Sequence, residues 1–144
     1  MDENTQEGSV SALLVGEYEN DRELVCDVFR KRGWRLVAAR HGRRAMEWLK
    51  RNAVQVVIAE NPTAGGWQWL LESLRDLPDP PQLVVTSRTA DDYLWSEVLN
   101  RGGYDVLAQP LDRDEVERVI AGAGRHYRSM RDGLGMASAA GTAA

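Results

Sequence analysis

Between Ser11 and Gln109 the chain repeats one pattern: a short apolar run, a break, and a stretch whose apolar residues recur at helical spacing. The apolar runs are Ser11–Gly16, Arg35–Arg40, Val54–Pro62, Gln82–Ser87 and Tyr104–Gln109. The third, Val54-Gln-Val-Val-Ile-Ala-Glu60-Asn-Pro62, is apolar at almost every position before its terminal carboxylate. Such a run lacks the alternation of a half-solvated strand, so it reads as a strand buried on both faces of a parallel sheet. Parallel neighbours need crossovers, and those crossovers are right-handed. The pattern therefore predicts an α/β fold of the flavodoxin-like (βα)5 type, a three-layer sandwich with parallel sheet order 2-1-3-4-5.

The intervening segments read as helices. Leu24, Val25, Val28 and Phe29 mark a helix from Asp21 to Arg32, with Asn20 or Asp21 as cap and Gly33 as its end. Ala45, Met46, Trp48 and Leu49 mark a second, from Arg43 to Arg51. Trp67, Leu70, Leu71 and Leu74 form the stripe of a third, with Trp69 off it. The proline-rich segment Asp76–Pro81 admits no helix. A fourth helix, Asp92–Arg101, carries Leu94, Trp95, Val98 and Leu99 and closes at Gly102–Gly103. A fifth starts near Asp112 with acidic residues in its first turn and Val116, Val119, Ile120 and Ala123 facing inward. Gly122 and Gly124 weaken it, leaving its end open between these glycines and Met130. The expected organisation is a disordered N-terminus over residues 1–10, a domain over 11–127, and a disordered tail or linker stub over 128–144.

Composition narrows the function classes. A chain of 144 residues with net charge −4 suits one domain and gives no reason to expect direct nucleic-acid binding. No run is long enough for a membrane span, and the polar, acidic start lacks the features of a signal peptide, so a cytoplasmic, non-membrane protein is expected. The single cysteine, Cys26, excludes an internal disulfide framework and reads as an inert, partly buried thiol. In the expected topology strands 1 and 3 flank the switch point, which brings Glu17 and Glu60 together. Thr86, Ser87 and Gln109 end the neighbouring strands on the same edge.

These residues and their order resemble the receiver domain of bacterial response regulators, over about Ala12 to His126. The resemblance implies a site in which an acidic pair after strand 1 holds Mg²⁺ and an aspartate ending strand 3 accepts phosphoryl from a histidine kinase. It also implies a Thr or Ser after strand 4 and a Lys before a cis proline as oxygen ligands. Here Thr86 and Pro110 match. The acidic pair maps onto Gly16 and Glu17, the acceptor onto Glu60, and the lysine onto Gln109. Pro62 stands where a backbone carbonyl would help hold the metal, and Val106 replaces the aromatic usual in strand 5. Phosphoryl transfer depends on positioning and on positive charge at the equatorial oxygens. The expectation is therefore a pseudo-receiver: a non-enzymatic, phosphorylation-independent interaction module in signal transduction or transcription control, with no metal or cofactor.

Two roles stay open for Glu60: a solvated or Thr86- and Gln109-bonded remnant, or a partial mimic of the phosphorylated state. The expected partner is a signalling protein or effector domain. The helix 4, strand 5, helix 5 face, bearing Trp95 and Val106, is the candidate partner or homodimer surface. Two alternatives remain. One is a receiver weakly phosphorylated at Glu60 by a histidine kinase, with Glu17 holding metal. The other is a small α/β enzyme or nucleotide-binding domain, although Gly16–Asn20 lacks the glycine spacing and lysine of a phosphate cradle and His41 and His126 assemble no nucleophilic triad.

Overall fold

The computed structural model describes residues 8–62 and 66–143. Among them the elements run β1 (Ser11–Val15), α1 (Arg22–Arg32), β2 (Arg35–Ala39), α2 (Gly42–Leu49), β3 (Val56–Asn61), α3 (Gly66–Arg75), β4 (Gln82–Ser87), α4 (Asp92–Asn100), β5 (Asp105–Ala108) and α5 (Arg113–Ala143). The strands form one parallel sheet in the order β2-β1-β3-β4-β5, the expected flavodoxin-like topology. Among the described residues no helix is long and apolar enough to cross a membrane.

The strand alternation divides the core into two. Leu14, Ile58, Val84 and Leu107 pack against Val25, Val28 and Phe29 of α1 and Val116, Val119 and Ile120 of α5. Leu13, Val57, Val85 and Val106 pack on the other face against Leu49 of α2, Trp67, Leu70 and Leu74 of α3, and Val98 of α4. Trp67, Leu70, Leu71 and Leu74 are all buried while Trp69 is partly exposed, as their helical spacing requires. Arg113 bridges α5 to α1 by hydrogen-bonding Asp27, which holds that carboxyl below the usual carboxylate range.

Several expectations need correction. Val106 is not displayed on a partner face: it is buried on the side of the sheet covered by α2, α3 and α4. The last helix does not stop at its glycines or at Met130 but continues to Ala143, through the segment expected to be irregular. Its two inner glycines serve close packing. A Cβ at Gly122 would lie 2.6 Å from the Tyr104 hydroxyl, and one at Gly124 would lie 2.9 Å from a Val10 methyl. The packing that these approaches permit offsets a propensity penalty of about 1 kcal/mol each.

The domain also begins before residue 11. Val10 is fully buried, the Gly8 carbonyl accepts from Trp34 Nε1 at 2.8 Å, and the Ser9 carbonyl accepts from Arg128 Nη1 at 3.1 Å. The rest of the expected disordered N-terminus, residues 1–7, lies outside the described residues. Of the proposed caps, Asp21 occupies the first cap of α1 without a side-chain capping bond, and Gly33 closes the helix in the left-handed conformation.

Because Ile58 lies fully buried in the central strand, Ile58→Ala should cost roughly 2–5 kcal/mol in a denaturant titration, whereas Met130→Ala, on the exposed side of α5, should stay within about 0.5 kcal/mol. Equal effects would contradict the packing described.

Candidate functional site

The parallel register carries four strand ends to one edge of the sheet. Val15 pairs with Ala59 and Glu60 with Thr86, so the first residue after β1, Gly16, lies beside Glu60. Their contact is intimate. A Cβ on Gly16 would sit 2.7 Å from Glu60 Cβ, 3.1 Å from its Oε1 and 3.2 Å from the Tyr18 ring. Gly16 also has φ +134, which side-chain-bearing residues rarely adopt. The second carboxylate of an acidic pair thus has no room here, for want of both space and backbone conformation.

The loop between β1 and α1 then folds inward. Tyr18, at φ 49, is fully buried, and its hydroxyl lies 2.7 Å from the buried Thr86 Oγ1. Its backbone N–H donates to Glu60 Oε1 at 3.0 Å. From the far side of the site, Gln109 Nε2 donates to Glu60 Oε2 at 3.1 Å and to Asp21 Oδ2 at 2.9 Å. Leu111 N–H donates to Asp21 Oδ1 at 3.2 Å. An amide NH₂ carries two donors, and here each meets one carboxylate. A lysine at this position would bring a charge. Gln109 joins two carboxylates and leaves their negative charge in place.

Of the bonds offered for Glu60 as a remnant, the one with Gln109 forms, whereas the place of Thr86 is taken by the Tyr18 backbone N–H, and Thr86 is held by the Tyr18 phenol. Glu17 is exposed and shares with Glu60 a shallow cleft of about 380 Å³, also lined by Glu19, Pro62, Ser87 and Arg88. Pro110 follows a cis peptide, as anticipated, and so does Pro62, which was not. Residues 63–65, the remainder of the loop after β3, lie outside the described residues. Sequence reasoning missed Tyr18 and Asp21. A tyrosine between two glutamates reads as solvated, and the one available hint was its aromatic ring in an otherwise polar loop.

These donors do not fit Mg²⁺. The ion needs near-octahedral oxygen ligation, and Gly16 supplies no side-chain oxygen while each Glu60 oxygen already accepts an N–H donor. Among the described residues no group of three or more His, Cys, Asp or Glu is placed to hold a metal. His41 and His126 also stand apart from the site, the first at the start of α2 and the second against the Tyr104 ring. Trp95 lies half-exposed on α4 with its indole N–H donating to Asp105 Oδ1 at 3.1 Å, so it leans over the open edge of β5.

No protein-family model matches the sequence, and no curated protein matches it significantly. Solved structures do match its fold. The signal receiver domain of an HD domain-containing protein from Pseudomonas fluorescens aligns with TM-score 0.76 at 22% identity, over 85% of this chain and 92% of that one. A Francisella response regulator receiver domain aligns with TM-score 0.71 at 18% identity, over 81% and 98%. A chain from the Saccharomyces cerevisiae complex of a histidine phosphotransfer signalling protein with the receiver domain of its downstream response regulator aligns with TM-score 0.72 at 15% identity, over 81% and 90%. At these identities the likeness is one of fold.

Two outcomes follow from the geometry. Gly16→Ala should destabilise the protein by roughly 2 kcal/mol or more in thermal or denaturant unfolding, through steric overlap and an unfavourable φ. Burial holds the Tyr18 phenol well above its ordinary value near 10; the bond with Thr86 opposes this, and Glu60 and Asp21 add to it. The associated stability is complete below that ordinary value and is lost as pH rises beyond it. Phenolate absorbance in the native state should be the same for the wild type and Tyr18→Phe, differing by one tyrosine only after unfolding.

Proposed function

We propose that this chain is a pseudo-receiver: a receiver-like domain that acts as a phosphorylation-independent, non-enzymatic interaction module in signal transduction. The observation that carries this reading is the closed hydrogen-bond circuit at Glu60. Its two oxygens accept from Tyr18 N–H and Gln109 Nε2, while Gly16 stands where a metal-binding carboxylate would be required. A carboxylate attacking a phosphoryl group needs a free lone pair, a metal to draw charge from the equatorial oxygens, and a cation to hold them. Here each carboxylate oxygen already accepts an N–H bond with which attack would compete, the metal donors do not fit, and the neutral amide of Gln109 bridges two anions instead of neutralising an incoming third.

The same circuit favours a domain held in one state. Thr86 and Gln109, the groups implied to grip a phosphoryl oxygen, are already bonded to Tyr18 and to Glu60 with Asp21. Glu60 accordingly acts as an internal occupant of the site. Partner binding, in this reading, follows from constitutive presentation of a surface. The likeness to a receiver domain solved with a histidine phosphotransfer signalling protein supports signalling proteins or effector domains as the partner class. Trp95 is the residue most suited to that contact, because its ring is half-exposed and fixed at its N–H end by Asp105.

Incubating the protein with acetyl phosphate and Mg²⁺ should leave no hydroxylamine-labile phosphate on Glu60 by intact-mass analysis. Stoichiometric labelling at that residue would overturn the proposal. Trp95→Ala should lower partner binding or self-association by about tenfold or more at unchanged melting temperature; no change in either would remove the surface assignment.

A further inference from the structure

We infer that the outer edge of β2, with the basic groove beside it, receives an acidic, extended segment of a partner protein as an added strand. The Glu60 site plays no part in this surface, and neither inference depends on the other. The sheet order leaves β2 at an edge, bonded only to β1 among the described residues. Arg35 N–H donates to the Val10 carbonyl at 2.9 Å and the Ala39 carbonyl accepts from Gly16 N–H at 3.0 Å. Those two bonds fix the alternation of a parallel ladder, so the N–H and C=O groups of Leu36 and Ala38 point outward, away from the sheet. They form a template that only a polypeptide backbone can complete.

The groove beside that edge exists because α2 is short. With only eight residues, Gly42–Leu49, it leaves Val37, Ala39 and Trp48 half-buried, and they line a cleft of about 860 Å³. A smaller cleft of about 280 Å³ shares Val37, Trp48 and Arg51 and extends the groove to Arg35. The rim of the larger cleft carries Arg40, Arg44, Lys50 and Arg51 against the single acid Glu47. Among the described residues neither these four cations nor Arg35 makes an ion pair within 4.0 Å. On a chain with net charge −4 this is a local concentration of uncompensated positive charge. Its sign selects the occupant. Two copies of this edge repel each other, which opposes pairing between identical chains, whereas a strand bearing carboxylates is drawn in. The side chains of that strand on the α2 side of the sheet would meet the groove, its apolar ones against Val37, Ala39 and Trp48 and its acidic ones against the basic rim.

The opposite edge of the sheet lacks this combination. At β5 the ring of Trp95 reaches over to Asp105, so an incoming strand would meet an indole and a carboxylate. The two edges thus differ in charge and in cover, and only β2 offers exposed ladder groups flanked by cations.

The test uses the full chain, isotopically labelled, and an end-blocked peptide in which valine and glutamate take turns at every second position with threonine between them, so that one face carries both. The expected result is saturable binding that weakens with salt and shifts the amides of Leu36, Ala38 and Arg40. Arg44→Glu combined with Arg51→Glu should weaken binding about tenfold or more. Ala38→Pro should also abolish it, since it removes an outward N–H and no bond to β1; melting curves establish that both variants remain folded. Absence of saturable binding, equal binding of a peptide with alternate backbone nitrogens methylated, or insensitivity to the arginine substitutions would overturn the inference. Tighter binding of oligo-dT than of the peptide at the same residues would overturn it in favour of a polyanion site.

Discussion

The structure turns on the way the Glu60 carboxylate is held. One oxygen takes the Tyr18 backbone N–H and the other takes the Gln109 amide, whose second hydrogen reaches Asp21. Each surrounding feature is a condition for that arrangement. Gly16 must lack a side chain because Glu60 Cβ occupies the space, and the strained turn that follows brings the Tyr18 N–H into range. The Tyr18 phenol is then carried into the interior, where Thr86 supplies the partner that a buried hydroxyl requires. Asp21, turned away from capping its own helix, ties the start of α1 to the chain after β5 through Leu111.

An electrostatic consequence follows from using an amide as the bridge. Glu60 and Asp21 are half-buried or buried and share one neutral donor group, while Glu17 and Glu19 stand exposed nearby. With three glutamates against the one cation Arg88 in its lining, the cleft disfavours phosphate. Positive charge is instead concentrated along the edge of β2, beside the short α2. The fold thus separates an acidic, internally bonded strand-end site from a basic, open strand edge.

Most of the fold could be read from the sequence because its signal is periodic. Val56, Val57, Ile58 and Ala59 are apolar because both faces of β3 are covered, and Trp67, Leu70, Leu71 and Leu74 recur because one face of α3 is. Features that depend on long-range contact could not be read this way. Tyr18 sits in a polar loop, and its burial is decided by Thr86, far along the chain. In a four-residue strand the inward side of Val106 carries no periodic mark. The end of α5 was obscured because glycine propensity argues for a stop, whereas Gly122 and Gly124 are there to let Tyr104 and Val10 come close. Beyond them, the loss of an apolar stripe says nothing about helicity, since a helix without one can still form its backbone bonds. At the site, glycine at 16, glutamate at 60 and glutamine at 109 were legible as a departure from the pattern they resemble, while the circuit that joins them depends on contacts between residues far apart in the chain.

The most direct test of a self-satisfied Glu60 is to record amide and side-chain spectra of the isotopically labelled protein while titrating Mg²⁺ together with beryllofluoride, which mimics a phosphoryl group on a carboxylate. The account predicts no saturable change at Tyr18, Glu60, Thr86 or Gln109. A saturable shift at these four residues, with release of the Gln109 side-chain amide from its partners, would contradict it.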